Sequence, residues 1–207
     1  MTVLKFVITF VVGYLLGNAN GAVLMSTLVN KQDVRKKGSG NAGFTNYLHN
    51  FGKKSALVVM LIDFLKTVLG CALGFFLLKG EGFAMEGIAL GGLGVSLGHD
   101  FPALLGFKGG KGIICGATIG LMLDWRCFLI AIGTFAVVAL VTQYVSLGSV
   151  LAALAMGISV MVFHNQQPWV FGLMWLAAGL AIFMHRGNIV RLRKGTETKT
   201  HFLKKKG

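Results

Sequence analysis

Residues 55–78, SALVVMLIDFLKTVLGCALGFFLL, decide the fold class of this chain. Asp63 and Lys66 are their only charged side chains, and most of the others are aliphatic or aromatic. A helix needs about 20 predominantly apolar residues to cross the hydrocarbon core of a bilayer. This stretch therefore predicts a transmembrane helix.

The composition of all 207 residues agrees with that prediction. Hydrophobic residues make up 55% of the chain, charged residues only 13%, and the mean hydropathy is +0.73. A soluble domain carries about 25% charged residues, so this chain has too little polar surface to be one. The 16 Phe and 2 Pro exclude a disordered or collagen-like chain. An integral membrane protein remains.

Further apolar runs predict the other spans, and they cover residues 3–28, 84–105, 113–123, 127–141, 145–163 and 169–184. The first run is interrupted by Asn18 and Asn20, and no small-residue cleavage site follows it. We therefore expect a retained span rather than a signal peptide. The run 84–105 is rich in glycine and contains Pro102, so we expect its helix to break near the end.

The net charge of +13 comes from 20 Lys and Arg against 7 Asp and Glu, concentrated in residues 30–54, 106–112 and 185–207. Basic loops mark the cytoplasmic side of a membrane protein, and they can also bind phosphate. For all three loops to lie inside, residues 113–141 must leave and return as two short helices or a re-entrant hairpin. The sequence predicts a single all-α membrane domain, 1–207, with about seven transmembrane helices, some short or broken. The N-terminus lies outside and the C-terminus inside.

Cysteine usage and the charged pair in residues 55–78 add two expectations. The three cysteines lie in apolar runs and fit no disulfide framework or metal-ligand spacing, so we expect thiols, no metal and no cofactor. Asp63 and Lys66 lie three residues apart and so share a helical face. An ionisable pair within a span is either functional or self-satisfied, and both interpretations stay open.

Polar residues collect in three clusters on the predicted cytoplasmic loops. The clusters are residues 38–46, residues 98–102 with 107–112, and residues 185–192 with Gly195 and Glu197. Glycine-rich turns with free N–H groups can bind anions, and lysines beside them supply positive charge. The simpler interpretations are a flexible loop, a packed histidine at His99, and a basic tail that contacts anionic lipid.

The three clusters resemble the three motifs of the bacterial acyl-phosphate-dependent glycerol-3-phosphate acyltransferases, the PlsY family. The first motif, close to S-G-N-x-G-x-T-N-x-x-R-x-x-G, matches residues 39–52. The second, G-H-x-x-P followed by F-K-G-G-K-G, matches residues 98–102 and 107–112. The third, H-[RK]-x-N-I-x-R-L with a later G-x-E, matches residues 185–197. The motif order and the spans agree along the whole chain.

The resemblance implies the first step of phospholipid biosynthesis. A fatty acyl group moves from acyl phosphate to the sn-1 hydroxyl of glycerol 3-phosphate and gives lysophosphatidic acid and inorganic phosphate. In the family the phosphate of the donor is thought to accept the hydroxyl proton. A multi-pass enzyme of the bacterial inner membrane with a cytoplasmic site is implied, with membrane lipids but no nucleic acid as partners. Transient contact with the enzyme that produces acyl phosphate is left open.

The resemblance also implies roles for residues. Ser39, Asn41, Lys108 and Lys111 are the implied catalytic residues. The implied substrate-binding residues are Gly40, Gly43, Thr45, Asn46, His49, His99, Gly109, Gly110, Gly112, His185, Asn188 and Glu197. Within the first motif one position departs from the family pattern, because His49 stands where the motif has Arg. A neighbouring Lys53 or Lys54 then takes over the phosphate contact, or the affinity for glycerol 3-phosphate is lower.

Two alternatives compete with this function. A transporter of organic anions or a lipid-binding scaffold would also need a basic, glycine-rich cytoplasmic site. Such a transporter predicts polar residues deep in several spans, and no internal repeat supports an inverted-repeat transporter. An acyltransferase that uses a thioester donor is the second alternative.

Overall fold

The computed structural model describes residues 1–200, and all regular secondary structure in that range is helical. The last part of the predicted cytoplasmic tail, residues 201–207, lies outside the described residues. The helices are α1 (Thr2–Gly17), α2 (Gly21–Leu24), α3 (Phe44–Phe51), α4 (Lys53–Leu78), α5 (Ala84–Asp100), α6 (Ile113–Leu123), α7 (Trp125–Thr142), α8 (Val145–Phe163), α9 (Pro168–Met184) and α10 (Arg186–Arg193). Short turns of other helix types cover Met25–Val29, Val34–Lys36, Lys79–Glu81 and Ala103–Leu105.

The apolar helices confirm an all-α membrane architecture. Within residues 1–200, five helical stretches are long and apolar enough to cross a membrane, and α9 with α10, bent by 56°, is a sixth if the bent pair counts as one span. Helix α6 has 11 residues and spans about 16 Å at 1.5 Å per residue, which is about half the hydrocarbon thickness of a bilayer. The prediction of about seven helices thus corresponds to five or six full-length candidates and one short helix.

Residues 113–141 form two helices that meet at Asp124. Two helices were one of the two expected arrangements, the other being a re-entrant hairpin. Helix α7, however, has 18 residues and is a candidate span on its own, so only α6 is short. The expected break after 84–105 also occurs, because α5 ends at Asp100, just before Pro102.

Thr2–Val29 is a candidate span, in agreement with the expected span 3–28, but it is not one continuous helix. Helix α1 ends at Gly17, and Asn20 begins α2 by accepting the Val23 N–H on its side-chain oxygen at 3.0 Å. Because Asn is a strong N-cap residue, the two asparagines that interrupt the hydropathy also divide the helix.

Glycine allows the central helices α4 and α5 to pack in backbone contact. A Cβ on Gly74 would lie 1.9 Å from the carbonyl oxygen of Gly87, and one on Gly91 would lie 2.1 Å from that of Gly70. Gly70 and Gly74 are four residues apart, as are Gly87 and Gly91, so each helix presents a small-residue face. Where lipid replaces water, such close packing is a main source of helix association.

The helix bundle has two distinct ends. At one end Lys5 pairs with Glu81, and the Phe6 and Phe83 rings contact edge to face at 5.4 Å. Trp169, just after the α8–α9 turn, lines a pocket with the same two rings. The three polar clusters lie at the other end, where contacts between loops join them.

Candidate active site

The first polar loop is held in shape by the side chain of Asn46, which α3 places under the loop. Its amide nitrogen donates to the carbonyl oxygens of Val34, Lys37 and Asn41 at 3.1, 3.0 and 2.9 Å. Its amide oxygen accepts the Ser39 backbone N–H at 3.0 Å. The Asn46 amide is therefore committed to the loop backbone, and it fixes where Ser39 lies.

The second loop lies directly against the first. The Ala42 N–H donates to the Gly109 carbonyl at 3.3 Å, and the Gly110 N–H donates to the His99 carbonyl at 3.0 Å. A Cβ on Gly110 would lie 2.1 Å from His99 Nε2, so any larger residue here would have to displace the buried His99 ring. The Gly-Gly pair of the motif thus lets the loop pass over the histidine ring.

Arg35 forms a second connection between these loops that the sequence pattern did not indicate. Its guanidinium donates to the Leu105 carbonyl at 2.8 Å and pairs with Asp33 at 2.8 Å. The hydrogen bonds from Arg35 lower the pKa of the Asp33 carboxyl, so this pair stays ionised at neutral pH. Arg35 therefore acts here as a brace between loops, while Lys36 and Lys37 remain exposed.

The third cluster joins the second loop through Lys111, whose ammonium donates to the side-chain oxygen of Asn188 on α10. The Asn188 amide in turn donates to Glu197 Oε1 at 2.6 Å. Glu197 also accepts from Ser146 at 2.6 Å and from Arg191 at 2.7 Å. A connected polar network therefore runs from the Gly-Gly loop to the start of the tail.

The pKa values of two ionisable groups in this network, Lys111 and Glu197, are both lowered, but for different reasons. Burial lowers the pKa of Lys111, and the nearby Glu197 opposes that shift. Burial would raise the pKa of Glu197, but the hydrogen bonds from Ser146, Asn188 and Arg191 outweigh it and lower the pKa. Glu197 is therefore an ionised acceptor that already receives three hydrogen bonds, and its lowered pKa makes it poorly suited to take a proton from a substrate.

Beneath the loops lies a buried network centred on Lys66. Its ammonium contacts Asp63 at 2.7 Å and His99 Nδ1 at 2.9 Å. It also donates to the carbonyls of Gly17 and Ala19, at 3.2 and 3.1 Å, at the C-terminal end of α1. An ammonium has no lone pair to accept with, so His99 Nδ1 must be the acceptor and its proton must sit on Nε2, against Gly110. The pair predicted to share a helical face is thus buried beneath the second loop.

The implied site residues occupy four kinds of position. Ser39, Gly40, Thr45, His49 and Lys108 are exposed at the surface of the loop end. The residues joined by the contacts above are Asn46, His99, Gly109, Gly110, Lys111, Asn188 and Glu197. His185 is buried, and its Nδ1 donates to the Ala181 carbonyl at 2.7 Å. Asn41, Gly43 and Gly112 lie within the two loops, at intermediate or buried positions.

His49 is not brought to the other clusters. It lies on the exposed face of α3, and no hydrogen bond or ion pair within residues 1–200 connects it to the second or third cluster. Lys53 and Lys54, which the sequence offers as substitutes, are also exposed, at the start of α4.

Three residues that contact the site are not among the implied site residues, although the third motif includes Arg191. Asn20 donates to the Ala42 carbonyl at 3.0 Å and so ties the first loop to the start of α2. The only sign of this role in the sequence was that Asn20 is a polar residue within an apolar run. Ser146 and Arg191 both bind Glu197, and a serine at the start of an apolar helix gave no signal for Ser146.

The fold and the site together define a polytopic membrane protein with basic, glycine-rich loops joined at one end of its helix bundle. Residues 7–195 match the family model described as glycerol-3-phosphate acyltransferase. A relative of that name from Thermoanaerobacter pseudethanolicus is 39% identical over 194 residues, covering 93% of this chain and 94% of the relative. One from Finegoldia magna is 40% identical over 200 residues, covering 96% and 98%. This chain belongs to the glycerol-3-phosphate acyltransferase family and is an integral membrane enzyme.

Solved structures support the same assignment. The chain is similar to the crystal structure of PlsY, an integral membrane glycerol 3-phosphate acyltransferase, in its glycerol 3-phosphate form. The TM-score is 0.86 and the identity 28%, with 96% of each chain covered. Its lysophosphatidic acid form gives a TM-score of 0.83 over the same coverage.

Proposed function

We propose that this enzyme transfers a fatty acyl group from acyl phosphate to the sn-1 hydroxyl of glycerol 3-phosphate at the cytoplasmic face of a bacterial plasma membrane. The products are lysophosphatidic acid and inorganic phosphate. The observation that carries the proposal is the position of residues 109–111, which contact the first loop through Gly109 and the third cluster through Lys111. Two phosphorylated substrates can then bind on either side of one shared loop.

The donor phosphate fits the second loop best. Gly109 and Gly110 have no side chains to keep a phosphate away from the backbone, and Lys108 and Lys111 flank them. His99 Nε2–H lies under this loop as a further donor. Positive charge and N–H groups placed where charge develops on a leaving phosphate lower the barrier to its departure.

Glycerol 3-phosphate fits between the first and third clusters. Ser39, Asn41 and Thr45 supply neutral donors on one side, and Asn188, held by Lys111 and Glu197, supplies an orienting amide on the other. Asn46 acts through the loop that it braces rather than on the substrate. His185 is buried at the end of α9, where its Nδ1 donates to the Ala181 carbonyl.

The chemical step needs no covalent enzyme intermediate. The sn-1 oxygen forms a bond to the acyl carbon while the bond from that carbon to the phosphate oxygen breaks. The hydroxyl proton passes to the departing phosphate. This route is supported by the state of Glu197, whose carboxylate already accepts three hydrogen bonds. Catalysis then rests on positioning and electrostatics.

A donor comparison tests the proposal. Purified enzyme in detergent should release phosphate from a long-chain acyl phosphate only when glycerol 3-phosphate is present, with one lysophosphatidic acid formed per phosphate. The same acyl group on a thioester should transfer at least a hundredfold more slowly. Phosphate release that ignores glycerol 3-phosphate, or equal rates from the thioester, contradicts the proposal.

Substitutions in the second loop test the site. Lys108→Ala and Lys111→Ala should each lower kcat/KM at least tenfold, which corresponds to about 1.4 kcal/mol of transition-state stabilisation. Lys36→Ala is the matched control, because Lys36 is an exposed lysine outside the implied site. If both loop variants keep the activity of the control, the second loop is not part of the site.

A further inference from the structure

Three potential metal ligands meet at the end of the helix bundle opposite the candidate active site. Asp124 lies in the α6–α7 turn, Cys127 in the first turn of α7, and His164 directly after α8. One ligand atom from each residue lies within 4.8 Å of the other two. The opposite ends of α7 and α8 lead to Gln143 and Ser146, and Ser146 binds Glu197 of the third cluster. This cluster and the candidate active site therefore lie at opposite ends of helices α7 and α8.

The distance between His164 and Asp124 is unusual for a hydrogen bond. His164 Nε2 lies 3.4 Å from Asp124 Oδ2, and this buried nitrogen has no hydrogen-bond partner within the described chain. A charge-assisted bond between imidazolium and carboxylate would be about 2.7–2.9 Å long. Two ligands about 2.0–2.1 Å from a tetrahedral zinc ion lie about 3.3–3.4 Å apart. The observed separation matches shared coordination better than direct bonding.

The tautomer of His164 points the same way. Its Nδ1 lies 3.0 Å from the side-chain oxygen of Gln167, and that oxygen can only accept a hydrogen bond. The proton therefore sits on Nδ1, and the lone pair of Nε2 faces Asp124. Metal-binding histidines characteristically donate their other N–H to an oxygen in this manner.

The burial of the three side chains and the contacts of Asp124 are compatible with a bound cation. Side chains of Asp124 and His164 are only 7% and 12% exposed, and Cys127 is buried. Arg126 donates to both Asp124 oxygens, from its backbone N–H and Nε to Oδ1 at 2.9 and 3.0 Å, and from Nε and Nη2 to Oδ2 at 3.1 and 2.6 Å. Nε is shared between the two oxygens, and its longer contact, to Oδ2, is the one that an ion at Oδ2 would replace.

We propose that Asp124, Cys127 and His164 bind a zinc ion, with water in the fourth position. On binding, the Cys127 thiol forms a bond to zinc and loses its proton to solvent. The thiolate and carboxylate then neutralise the two charges of the ion. Zinc here joins the α6–α7 turn to the α8–α9 turn, and so fixes the far end of the short helix α6, whose other end begins at the second loop.

Zinc binding can be measured on the enzyme in detergent, prepared without a polyhistidine tag, reduced, and stripped with a chelator. We expect one zinc per chain, and below a tenth of that in Cys127→Ser and in His164→Gln. Cys115→Ala is the matched control, because Cys115 is a buried thiol outside the cluster, and it should bind zinc as the wild type does. Acyltransferase activity of each variant shows that it has folded.

Cobalt provides a test that needs no variant to fold. Cobalt(II) bound to the wild-type enzyme should show the near-ultraviolet absorption of a thiolate-to-cobalt transition, and added zinc should remove it. Zinc content that is unchanged in both Cys127→Ser and His164→Gln means adventitious binding only and overturns the proposal. So does a wild-type cobalt complex without the thiolate absorption.

Discussion

The two lysines of the second loop illustrate how the environment separates residues of one type. Lys108 is exposed, whereas Lys111 is partly buried and bonded to Asn188. Burial lowers the pKa of Lys111, so raising the pH removes its proton earlier than that of an ordinary lysine. If its ammonium stabilises the leaving phosphate, kcat/KM must fall on the alkaline side as that proton is lost.

Lys111→Arg should move this alkaline limb to higher pH, because a guanidinium does not lose its proton in proteins. Its value of kcat/KM at neutral pH should drop by up to about tenfold, or 1.4 kcal/mol, since the planar head replaces a compact ammonium at Asn188. The measurement is kcat/KM against pH, with Lys108→Arg as the matched control. An alkaline limb that is unmoved in Lys111→Arg would show that another group causes it.

At the scale of elements, one buried ammonium connects three helices. Lys66 on α4 bonds Asp63 of its own helix, His99 of α5 and the last carbonyls of α1. Cations at a helix C-terminus interact favourably with the helix dipole, and the same charge neutralises Asp63. The loop end of the bundle therefore depends on an ionic contact as well as on apolar packing.

Lys66→Met should lower the stability of the enzyme by about 3–5 kcal/mol, because it leaves a buried carboxylate without its partner. Adding Asp63→Asn should recover part of that loss, since the remaining buried group is then neutral. Thermal unfolding in detergent of both single variants and the double variant measures the coupling. Strictly additive losses would mean that the two charges do not stabilise each other.

Close packing of α4 on α5 leads to a second prediction for these elements. Gly74→Ala should destabilise the enzyme by about 1–3 kcal/mol through overpacking, because the new Cβ meets the Gly87 carbonyl. Gly116→Ala is the matched control, since nothing lies within 4 Å of a Cβ there, and alanine favours the helix by about 1 kcal/mol. A lower melting temperature is expected for the first variant only. Equal melting temperatures would contradict close backbone contact between these helices.

Elements and motif clusters were largely predictable from sequence, whereas side-chain direction was not. Hydropathy located the helices, and Asn18, Asn20, Pro102 and Asp124 marked their breaks. The motif pattern placed Asn46 among the anion donors, but only the fold shows that its amide binds the loop backbone. Partners that are distant in sequence were also unpredictable, because local spacing carries no information about which loops meet.

At the scale of the whole molecule, the two ends of the bundle differ in charge. Thirteen basic residues lie at the loop end, in residues 30–54, 106–112 and 185–200. They are Lys31, Arg35, Lys36, Lys37, Lys53, Lys54, Lys108, Lys111, Arg186, Arg191, Arg193, Lys194 and Lys199. At the opposite end, Lys5 is paired with Glu81 and Arg126 with Asp124, so little unpaired positive charge remains there. By the positive-inside rule, the loop end should face the cytoplasm.

This orientation can be tested on intact cells with single cysteines. Variants that carry one cysteine at Ser39, Lys108 or Asn188, in a chain with the three natural cysteines replaced, should resist a membrane-impermeant thiol reagent until the cells are permeabilised. A cysteine at Gly82, in the turn between α4 and α5 at the other end, is the matched control and should react from outside. All three loop positions must behave alike, because the contacts through Gly109 and Lys111 place them at one end of the bundle. Labelling of one loop position from outside while the other two stay protected would contradict the inference that the three loops form one site. Labelling of all three with protection of the control would leave the site intact and reverse only the orientation.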